Sequence, residues 1–187
     1  MRKSIRKGLL FYLLSFVLLS FFATASASAI AQTVEGIAIH ISDGDTFVLL
    51  TDNGTKLKVR TAFYDALETK KVDYKTGRVN KEGQFFGEEV TTAFKKKIEG
   101  KRITVEIIDI DRYHRSVGIV FLDGRNINLD MVREGWAEAY KEYLKPPYRE
   151  QFLEAERQAR KEKRGIWGLP NYERPSVFRK RMRISGN

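Results

Sequence analysis

Three short segments of the sequence combine carboxylates with arginines, and their residue types could do chemistry together. The segments are Asp43-Gly44-Asp45-Thr46, Arg60 followed by Asp65-Ala66-Leu67-Glu68, and Asp111-Arg112-Tyr113-His114-Arg115. Carboxylates that converge without nearby histidine or cysteine ligands favour calcium or magnesium over zinc. Arginine presents a planar fork of donors that can grip a phosphate group through two hydrogen bonds. Together these residue types suit the cleavage of a phosphodiester.

Each residue type would have its own task in such a reaction. A metal ion and the two arginines, Arg60 and Arg115, would neutralise charge that builds on the phosphoryl oxygens. A spare carboxylate would orient or deprotonate a water molecule for in-line attack. Taken singly, each of these residues is better explained as a turn acid or as one half of a surface ion pair. Only their joint spacing favours the catalytic interpretation.

Five segments have the composition of β-strands, which are rich in β-branched and aromatic residues. The first three lie close together, and Asp52-Asn53-Gly54-Thr55 provides a turn between the second and the third. The other two follow a helix, and Asp123-Gly124 ends the last of them. The predicted strands are residues 34–41, 46–51, 56–64, 102–110 and 116–122.

Apolar residues at helical spacing predict helices around these strands. Val90, Phe94 and Ile98 share one face of the first helix, which Gly100 ends. Two further helices are predicted over residues 129–136 and 148–163. A helix between the third and fourth of five strands is the order of an OB barrel. The sequence therefore predicts an α+β, mainly β fold, a five-stranded OB barrel with about three helices.

The N-terminus has the layout of a cleaved secretory signal peptide. Four basic residues and no acidic residue precede an apolar run over residues 9–22, and small residues then end in Ala29-Ile30-Ala31. This is a basic region, an apolar region and an A-x-A cleavage site. The alternative is a membrane anchor, but the apolar run is short against the roughly 20 residues that a spanning helix needs. We therefore predict that residues 1–31 are removed and that the protein is secreted or periplasmic, with no membrane attachment afterwards.

The net charge and the absence of cysteine limit the partners and the kinds of site that are expected for the chain after residue 31. The net charge of +10 would fall to +6 without the signal peptide, and a protein this basic is attracted to polyanions. Nucleic acid, anionic membranes and polysaccharides all fit that charge. The chain has no cysteine, which excludes disulfides, cysteine zinc sites and thiol nucleophiles. Residues 32–170 suffice for one domain with its own core, and we expect a monomer without a stable protein partner.

Two basic segments lie outside the predicted barrel strands and helices. The loop over residues 69–81 carries five basic residues against one acidic residue. It is either a solvated, mobile loop or a rim that steers phosphate groups. The tail over residues 171–187 is basic and has little apolar content, so we expect it to be partly disordered.

The order and spacing of these motifs resemble the staphylococcal-nuclease-like (thermonuclease) family. Asp43-Gly44-Asp45-Thr46 matches the family's strand-turn acid motif, and Arg60-x4-Asp65-Ala66-x-Glu68 matches its arginine-to-acid segment. Tyr113-x-Arg115 matches its tyrosine-to-arginine segment. Later segments are also similar, and the resemblance spans residues 34–167. They are Asn126-Ile127-Asn128-Leu129, Val132-Arg133-Glu134-Gly135 and Gly165-Ile166-Trp167.

The resemblance implies a calcium-dependent nuclease that cuts DNA and RNA. Asp45 and Asp65 would be calcium ligands, together with the backbone carbonyl of Ala66. Glu68 would be the general base, or the residue that orders the attacking water. By the same resemblance, cleavage breaks the bond between phosphorus and the 5′ oxygen and leaves 3′-phosphate ends.

The resemblance also assigns residues to the substrate. Arg60 and Arg115 would stabilise the transition state, with Arg115 assisting the 5′-oxygen leaving group. Tyr113 and Tyr140 would contact the phosphate and the base of the substrate.

The chain departs from the family pattern near two of these residues. Leu67 stands where a proline is usual before Glu68, and His114 replaces the usual glycine before Arg115. If that second position needs a positive φ, histidine is a strained fit there. Neither departure removes a charged group from the expected site.

Two other functions remain open on the sequence. A catalytically silent OB module would bind single-stranded nucleic acid through a basic groove and stacked aromatic residues. A surface adhesion protein would use the basic tail as its contact element and would need no calcium. The retained acids argue against the silent module, because a pure binder gains nothing from carboxylates near a polyanion.

Overall fold

The computed structural model describes residues 32–185. The predicted signal peptide over residues 1–31 lies outside these residues, and its cleavage stays a prediction. Among the helices of the described part, none is both long and apolar enough to cross a membrane.

Ten strands are described, and five of them form a closed barrel. The ten strands are β1 (Gln32–Asp43), β2 (Thr46–Thr51), β3 (Lys56–Thr61), β4 (Tyr64–Ala66), β5 (Lys71–Val72), β6 (Val79–Lys81), β7 (Arg102–Ile110), β8 (Ser116–Leu122), β9 (Arg125–Asn126) and β10 (Ala137–Ala139). The barrel order is β3-β2-β1-β7-β8, and a parallel pairing of β3 with β8 closes it. Its other neighbouring strands are antiparallel. The predicted OB-type barrel is confirmed.

The long first strand is what allows the barrel to close. β1 pairs with β2 along one part and with β7 along another. Two register shifts interrupt its pairing with β2, one between Ala38 and His40 and one between Ile41 and Asp43. Such bulges bend a strand and increase its twist. The second shift immediately precedes the turn that carries Asp45.

Two short pairs of strands lie outside the barrel. β4 pairs antiparallel with β10, so that Asp65 lies opposite Glu138 and Ala66 lies opposite Ala137. β5 and β6 form a small hairpin within the loop over residues 69–81. This loop is therefore a defined element beside β4, not only a solvated segment.

Four α-helices are described, one more than expected. They are α1 (Gly87–Ile98), α2 (Ile127–Arg133), α3 (Arg149–Lys161) and α4 (Pro175–Ser185). The additional helix, α4, lies in the basic tail for which disorder was expected. Its first residue is Pro175, and proline is favoured at the first position of a helix because its fixed φ suits the helix. Phe178, on the second turn of α4, is buried and supplies an apolar anchor.

Helix α1 packs against the β1–β2 end of the barrel. Its apolar face buries Val90, Phe94 and Ile98, and the Phe94 ring meets Phe47 of β2 edge-on at 6.0 Å between centroids. Burying one such side chain contributes about 1.5–3 kcal/mol. A side chain at Gly44 would collide with Val90, so the glycine lets the β1–β2 turn rest directly on α1.

A single buried amide joins helix α2 to the barrel. The Asn128 side chain donates to the carbonyl oxygens of Ala62, at 2.9 Å, and Gly118, at 3.1 Å. Its Oδ1 accepts from the Val120 N–H at 3.0 Å. Asn128 therefore ties the end of β3 to β8, the two strands whose pairing closes the barrel.

Candidate active site

The β1–β2 turn presents Asp45 at one end of the barrel. The backbone carbonyl of Asp45 accepts hydrogen bonds from the N–H of Thr61, at 2.8 Å, and from its hydroxyl, at 3.1 Å. The hydroxyl of Tyr64 donates to the carbonyl of Gly44 at 2.8 Å. Tyr64 is completely buried, and burial raises its pKa, so this hydroxyl stays protonated and keeps donating. These contacts hold the Asp45 carboxylate in a nearly buried position.

A sharp bend between β3 and β4 brings Arg60 and Asp65 together. Phe63 adopts a positive φ of 70°, which is costly for an aromatic residue. Its ring compensates by packing on Tyr148 and Phe152 of the α3 region, at 5.4 and 5.7 Å between centroids. The strand predicted over residues 56–64 is therefore two strands, and the chain returns toward Arg60 after the bend.

Arg60 bridges the two acids predicted to bind metal. Its Nη1 lies 2.9 Å from Asp45 Oδ2, and its Nη2 lies 2.9 Å from Asp65 Oδ1. The charge of Asp45 raises the pKa of Arg60 further, so the guanidinium is permanently charged. Asp65 is fully buried, and this burial raises its pKa against the opposing effect of the neighbouring arginines. A buried carboxylate of this kind needs a cation beside it to stay ionised.

Glu68 follows β4 and is held by its backbone as well as its side chain. Its N–H donates to Gln84 Oε1 at 3.1 Å, and its carbonyl accepts from the Gln84 N–H at 2.8 Å. Lys81, from the β5–β6 hairpin, forms an ion pair with Glu68 Oε2. The basic loop thus reaches the predicted general base.

A tight turn after β7 positions Arg115. Asp111 Oδ1 accepts from the N–H groups of Tyr113, at 2.9 Å, and Arg115, at 3.0 Å. Asp111 Oδ2 lies 2.7 Å from Arg115 Nε and 2.6 Å from its Nη2. His114 has a φ of 58°, so the position where glycine is usual does require a left-handed conformation. The cost of that conformation is offset by the three hydrogen bonds that the Asp111 side chain accepts within the turn and by its ion pair with Arg115.

The charged residues predicted for the site are joined in one network. Arg115 Nη1 donates to the Thr46 hydroxyl at 3.3 Å, and that hydroxyl donates to Asp45 Oδ1 at 2.8 Å. Arg60 connects Asp45 to Asp65, as described above. The parallel pairing of β3 and β8 brings these residues together, because Arg60 lies opposite Val117 in that ladder.

The two predicted substrate tyrosines lie at different depths. Tyr113 is 63% exposed, and the guanidinium of Arg115 lies 5.5 Å from the centre of its ring. Tyr140 follows β10 and is half-buried, with its ring meeting Tyr143 edge-on at 4.6 Å. Burial and then the charge of Asp65 raise the pKa of Tyr140.

One contact of the site was not anticipated from the sequence. Arg179 of helix α4 places Nη2 at 2.7 Å from Asp65 Oδ2 and Nη1 at 3.1 Å from Asp65 Oδ1. The same Nη1 lies 2.8 Å from Glu68 Oε1. Burial lowers the pKa of Arg179, but its hydrogen bond to Asp65 and the charge there outweigh this and raise it overall.

Comparison with known proteins agrees with this geometry. The sequence matches the family described as Staphylococcal nuclease homologue over residues 58–168, more than half of the chain. The chain belongs to this nuclease family. It is 31% identical to an endonuclease of Haemophilus influenzae, described as uncharacterized, over 92% of the chain and 87% of that protein. It is also 31% identical to a micrococcal nuclease of Shigella flexneri, over 81% of the chain and 84% of that protein. An uncharacterized endonuclease of Escherichia coli O157:H7 is 32% identical over 79% of the chain and 86% of that protein.

Within this nuclease family, the position of Leu67 acquires a structural explanation. Leu67 is 2% exposed and lines a small cavity together with Phe85, Leu169 and Phe178 of helix α4. A leucine at this position contributes apolar surface on which the C-terminal segment rests. The departure from proline therefore coincides with the helix that carries Arg179.

The donor set of the nuclease site is suited to a hard cation. Asp45 and Asp65 both approach Arg60 within 2.9 Å, and Ala66 lies in β4 directly after Asp65. Across residues 32–185, no three histidine, cysteine or acidic residues are grouped closely enough to hold a metal by themselves. A cation at this site would therefore rely on two carboxylates, a backbone carbonyl, and oxygens of water or substrate. Calcium takes six to eight oxygen ligands of these kinds.

Proposed function

We propose that this family member is a calcium-dependent nuclease that hydrolyses DNA and RNA and leaves 3′-phosphate ends. The observation that carries the proposal is the continuous network from Arg115 through Asp45 and Arg60 to Asp65. Two buried acids and two arginines at the end of a barrel are the groups that phosphodiester hydrolysis requires. The family's general dependence on calcium and the names of its relatives support the metal and the substrate class.

In the proposed mechanism, each residue acts on a different atom of the substrate. Arg60 and Arg115 donate to the non-bridging phosphoryl oxygens, where charge increases as water attacks. Glu68 orients the attacking water and accepts its proton. A carboxylate that is held in position can act as a general base in this way. Arg115 then stabilises the departing 5′ oxygen. Calcium bound by Asp45, Asp65 and the Ala66 carbonyl would add charge neutralisation at the phosphate.

The surface around the site favours a polyanionic substrate. Lys70, Lys75 and Arg78 are exposed on the loop over residues 69–81, and Tyr74 at its tip is fully exposed. Cations beside exposed aromatic rings bind single-stranded nucleic acid with little sequence preference. Tyr113 and Tyr140 would contact the nucleotide next to the cleaved phosphate.

The burial of the acids supports catalysis over silent binding. Asp45 is 6% exposed and Asp65 is 0% exposed. Buried negative charge near the binding site of a polyanion costs affinity and gives a pure binder no advantage. The same charges are required when a metal is to be held next to a phosphate.

We also propose that the nuclease acts outside the cytoplasm, after removal of residues 1–31. The support is the layout of the N-terminal sequence, with its basic, apolar and A-x-A parts. N-terminal sequencing of protein exported from its host would give a residue near Gln32. Recovery of the intact N-terminus in a membrane fraction would indicate an anchored protein.

The function is tested by incubating residues 32–187 with plasmid DNA, single-stranded DNA and RNA. We expect cleavage with millimolar calcium, none with excess chelator, and less turnover with magnesium, whose octahedral geometry is stricter. The product ends should resist ligation until a phosphatase removes the 3′ phosphate and a kinase then phosphorylates the 5′ hydroxyl. Equal cleavage in excess chelator would contradict the metal assignment.

A matched pair of variants separates catalysis from binding. Asp65→Asn removes a proposed metal ligand and should abolish cleavage, whereas Asp109→Asn changes an exposed carboxylate near the end of β7 and should not. Binding without cleavage by the unaltered protein, with and without calcium, would favour the silent OB module. Absence of both binding and cleavage would favour the adhesion protein.

A further inference from the structure

Helix α4 places one guanidinium across the two acids that the proposed mechanism uses most. Arg179 contacts both oxygens of Asp65 and one oxygen of Glu68, within 2.7–3.1 Å. The other oxygen of Glu68 is paired with Lys81. With Arg60 also on Asp65 Oδ1, the oxygens of both carboxylates already have cationic partners. In this arrangement a metal at Asp65 would have to bind against the charge of Arg179, and the two cations on Glu68 disfavour its taking a proton from water.

A second contact holds the same C-terminal segment without using a catalytic acid. Glu138 is 2% exposed, and its carboxylate accepts from Arg174 Nε at 3.0 and 3.1 Å and from the Tyr172 hydroxyl at 2.9 Å. Gln84 Nε2 donates to the carbonyl of Glu173 at 2.8 Å. The start of the segment is therefore fastened to β10 and to the residue that positions Glu68.

The helix itself is held by one buried apolar side chain beyond Pro175 and by the ion pairs of Arg179. Phe178 is the buried apolar side chain of α4 beyond Pro175, while Val177 and Ile184 remain half exposed or more. The Arg179 side chain is 31% exposed, so solvent partly screens its ion pairs. The anchor uses residues 172–174 and the contacts with the acids use Arg179, so α4 can leave Asp65 and Glu68 while the anchor stays in place.

We propose that helix α4 is an autoinhibitory strap, in which Arg179 covers the metal and base carboxylates until calcium displaces it. The inference rests on the proposed calcium site at Asp45 and Asp65. Calcium and the Arg179 guanidinium compete for the same oxygens of Asp65, so each weakens the binding of the other. If only a fraction of the molecules has the metal site uncovered, the apparent affinity for calcium is reduced by that fraction.

The competition predicts a specific change in calcium affinity. Arg179→Gln keeps a polar side chain on α4 but removes the charge that opposes calcium. We expect the calcium dissociation constant, measured by calorimetry on residues 32–187 without substrate, to fall by about 5- to 150-fold, the usual range of coupling between two sites. Arg183→Gln is the matched control, because Arg183 is exposed one turn along the helix and donates to the backbone carbonyl of Arg179. Its calcium affinity should equal that of the unaltered protein.

Hydrogen exchange of residues 175–185 provides a readout that does not depend on activity. In the unaltered protein these amides should exchange faster when calcium is added. In Arg179→Gln they should exchange fast already without calcium. Arg174→Gln opens the anchor without touching a catalytic acid, and it should also raise calcium affinity.

The outcomes distinguish the strap from the proposed function. Equal calcium affinity in Arg179→Gln and the unaltered protein would refute the strap while leaving the calcium-dependent nuclease intact. Weaker calcium binding in Arg179→Gln would show that Arg179 organises the metal site, and this result would also refute the strap. Absence of calcium binding to every variant would refute both the strap and the calcium assignment. Slower hydrogen exchange of residues 175–185 after calcium is added would contradict the proposal that calcium opens the strap.

Discussion

Replacing Glu68 by glutamine tests the central step of the proposed mechanism. Glutamine keeps the length of the side chain and one acceptor oxygen for Arg179, but it cannot accept a proton. A positioned general base contributes about 10²–10⁴ in rate, which corresponds to about 2.7–5.5 kcal/mol of barrier. We expect kcat of Glu68→Gln at saturating calcium to fall by that factor.

The structure also bounds the effect of this change on stability. Glu68 pairs with Arg179, whose side chain is 31% exposed, and with Lys81, whose side chain is 43% exposed. Ion pairs this close to solvent contribute about 1 kcal/mol or less each. The free energy of unfolding should therefore change by much less than the activation barrier. Urea denaturation and single-turnover cleavage of a short DNA duplex measure the two quantities on the same preparation.

Glu138→Gln is the matched control for this variant. Glu138 is also a carboxylate held by an arginine of the C-terminal segment, but its hydrogen bonds go to Arg174 and Tyr172 and not to the network around Asp45. Its loss of charge should cost about 1–3 kcal/mol of stability and leave kcat at saturating calcium within about twofold. An unchanged kcat in Glu68→Gln would refute the role of Glu68 and favour the silent OB module. A fall in calcium affinity that matches the fall in rate would instead make Glu68 a metal ligand.

Three further predictions concern the two arginines of the site, the buried amide of Asn128 and the carboxylate of Asp111. Arg60→Lys and Arg115→Lys should each lower kcat by about 100-fold or more, because lysine cannot make a two-pronged contact with the transition state; a change in KM alone would make them binding residues. Asn128→Ala should lower the unfolding free energy by about 2–4 kcal/mol, because it leaves the Val120 N–H and the Ala62 carbonyl without this partner in a buried site. A loss below about 1 kcal/mol in urea denaturation would mean that these groups are satisfied otherwise. Burial raises the pKa of Asp111, but the hydrogen bonds from Arg115 outweigh this and lower it. The resulting stability is present above the unfolded pKa of about 3.9 and is lost as pH falls through the folded value. The advantage of the native protein over Asp111→Asn should thus be measurable at neutral pH and vanish in acid; an advantage that persists in acid would contradict this.

The barrel could be predicted because short, local sequence patterns mark its strands and turns. Each barrel strand is a run of β-branched and aromatic residues, and turn residues mark the ends. The positions of Asp45, Asp65 and Arg115 follow from short motifs at the ends of those strands. The boundaries that were missed depend on single conformations that composition does not encode. Phe63 divides one predicted strand by adopting a positive φ, and Asn126 begins helix α2 early by capping the Leu129 N–H at 3.0 Å.

The contribution of the tail could not be derived in the same way. Arg179 lies more than a hundred residues from Asp65 in the sequence, and no local motif connects the two. Basic composition predicts disorder for an isolated segment, but a buried carboxylate and an apolar cavity beside it change that balance. The tail itself gave one weak signal, because Pro175 is a residue type that is favoured at the first position of a helix. The ion pair between Lys81 and Glu68 could not be derived from the sequence either, because it depends on the β5–β6 hairpin.

The parallel pairing of β3 with β8 has a consequence for the time at which activity arises. Thr61 and Gly118 meet in this pairing although helix α1 and strand β7 lie between them in the sequence. The contact therefore closes a long loop, and such contacts are costly until the rest of the fold is in place. A nascent or truncated chain that ends before Arg115 lacks both this arginine and the closing strand. The proposed site is thus assembled only after β8 has been synthesised and has paired with β3.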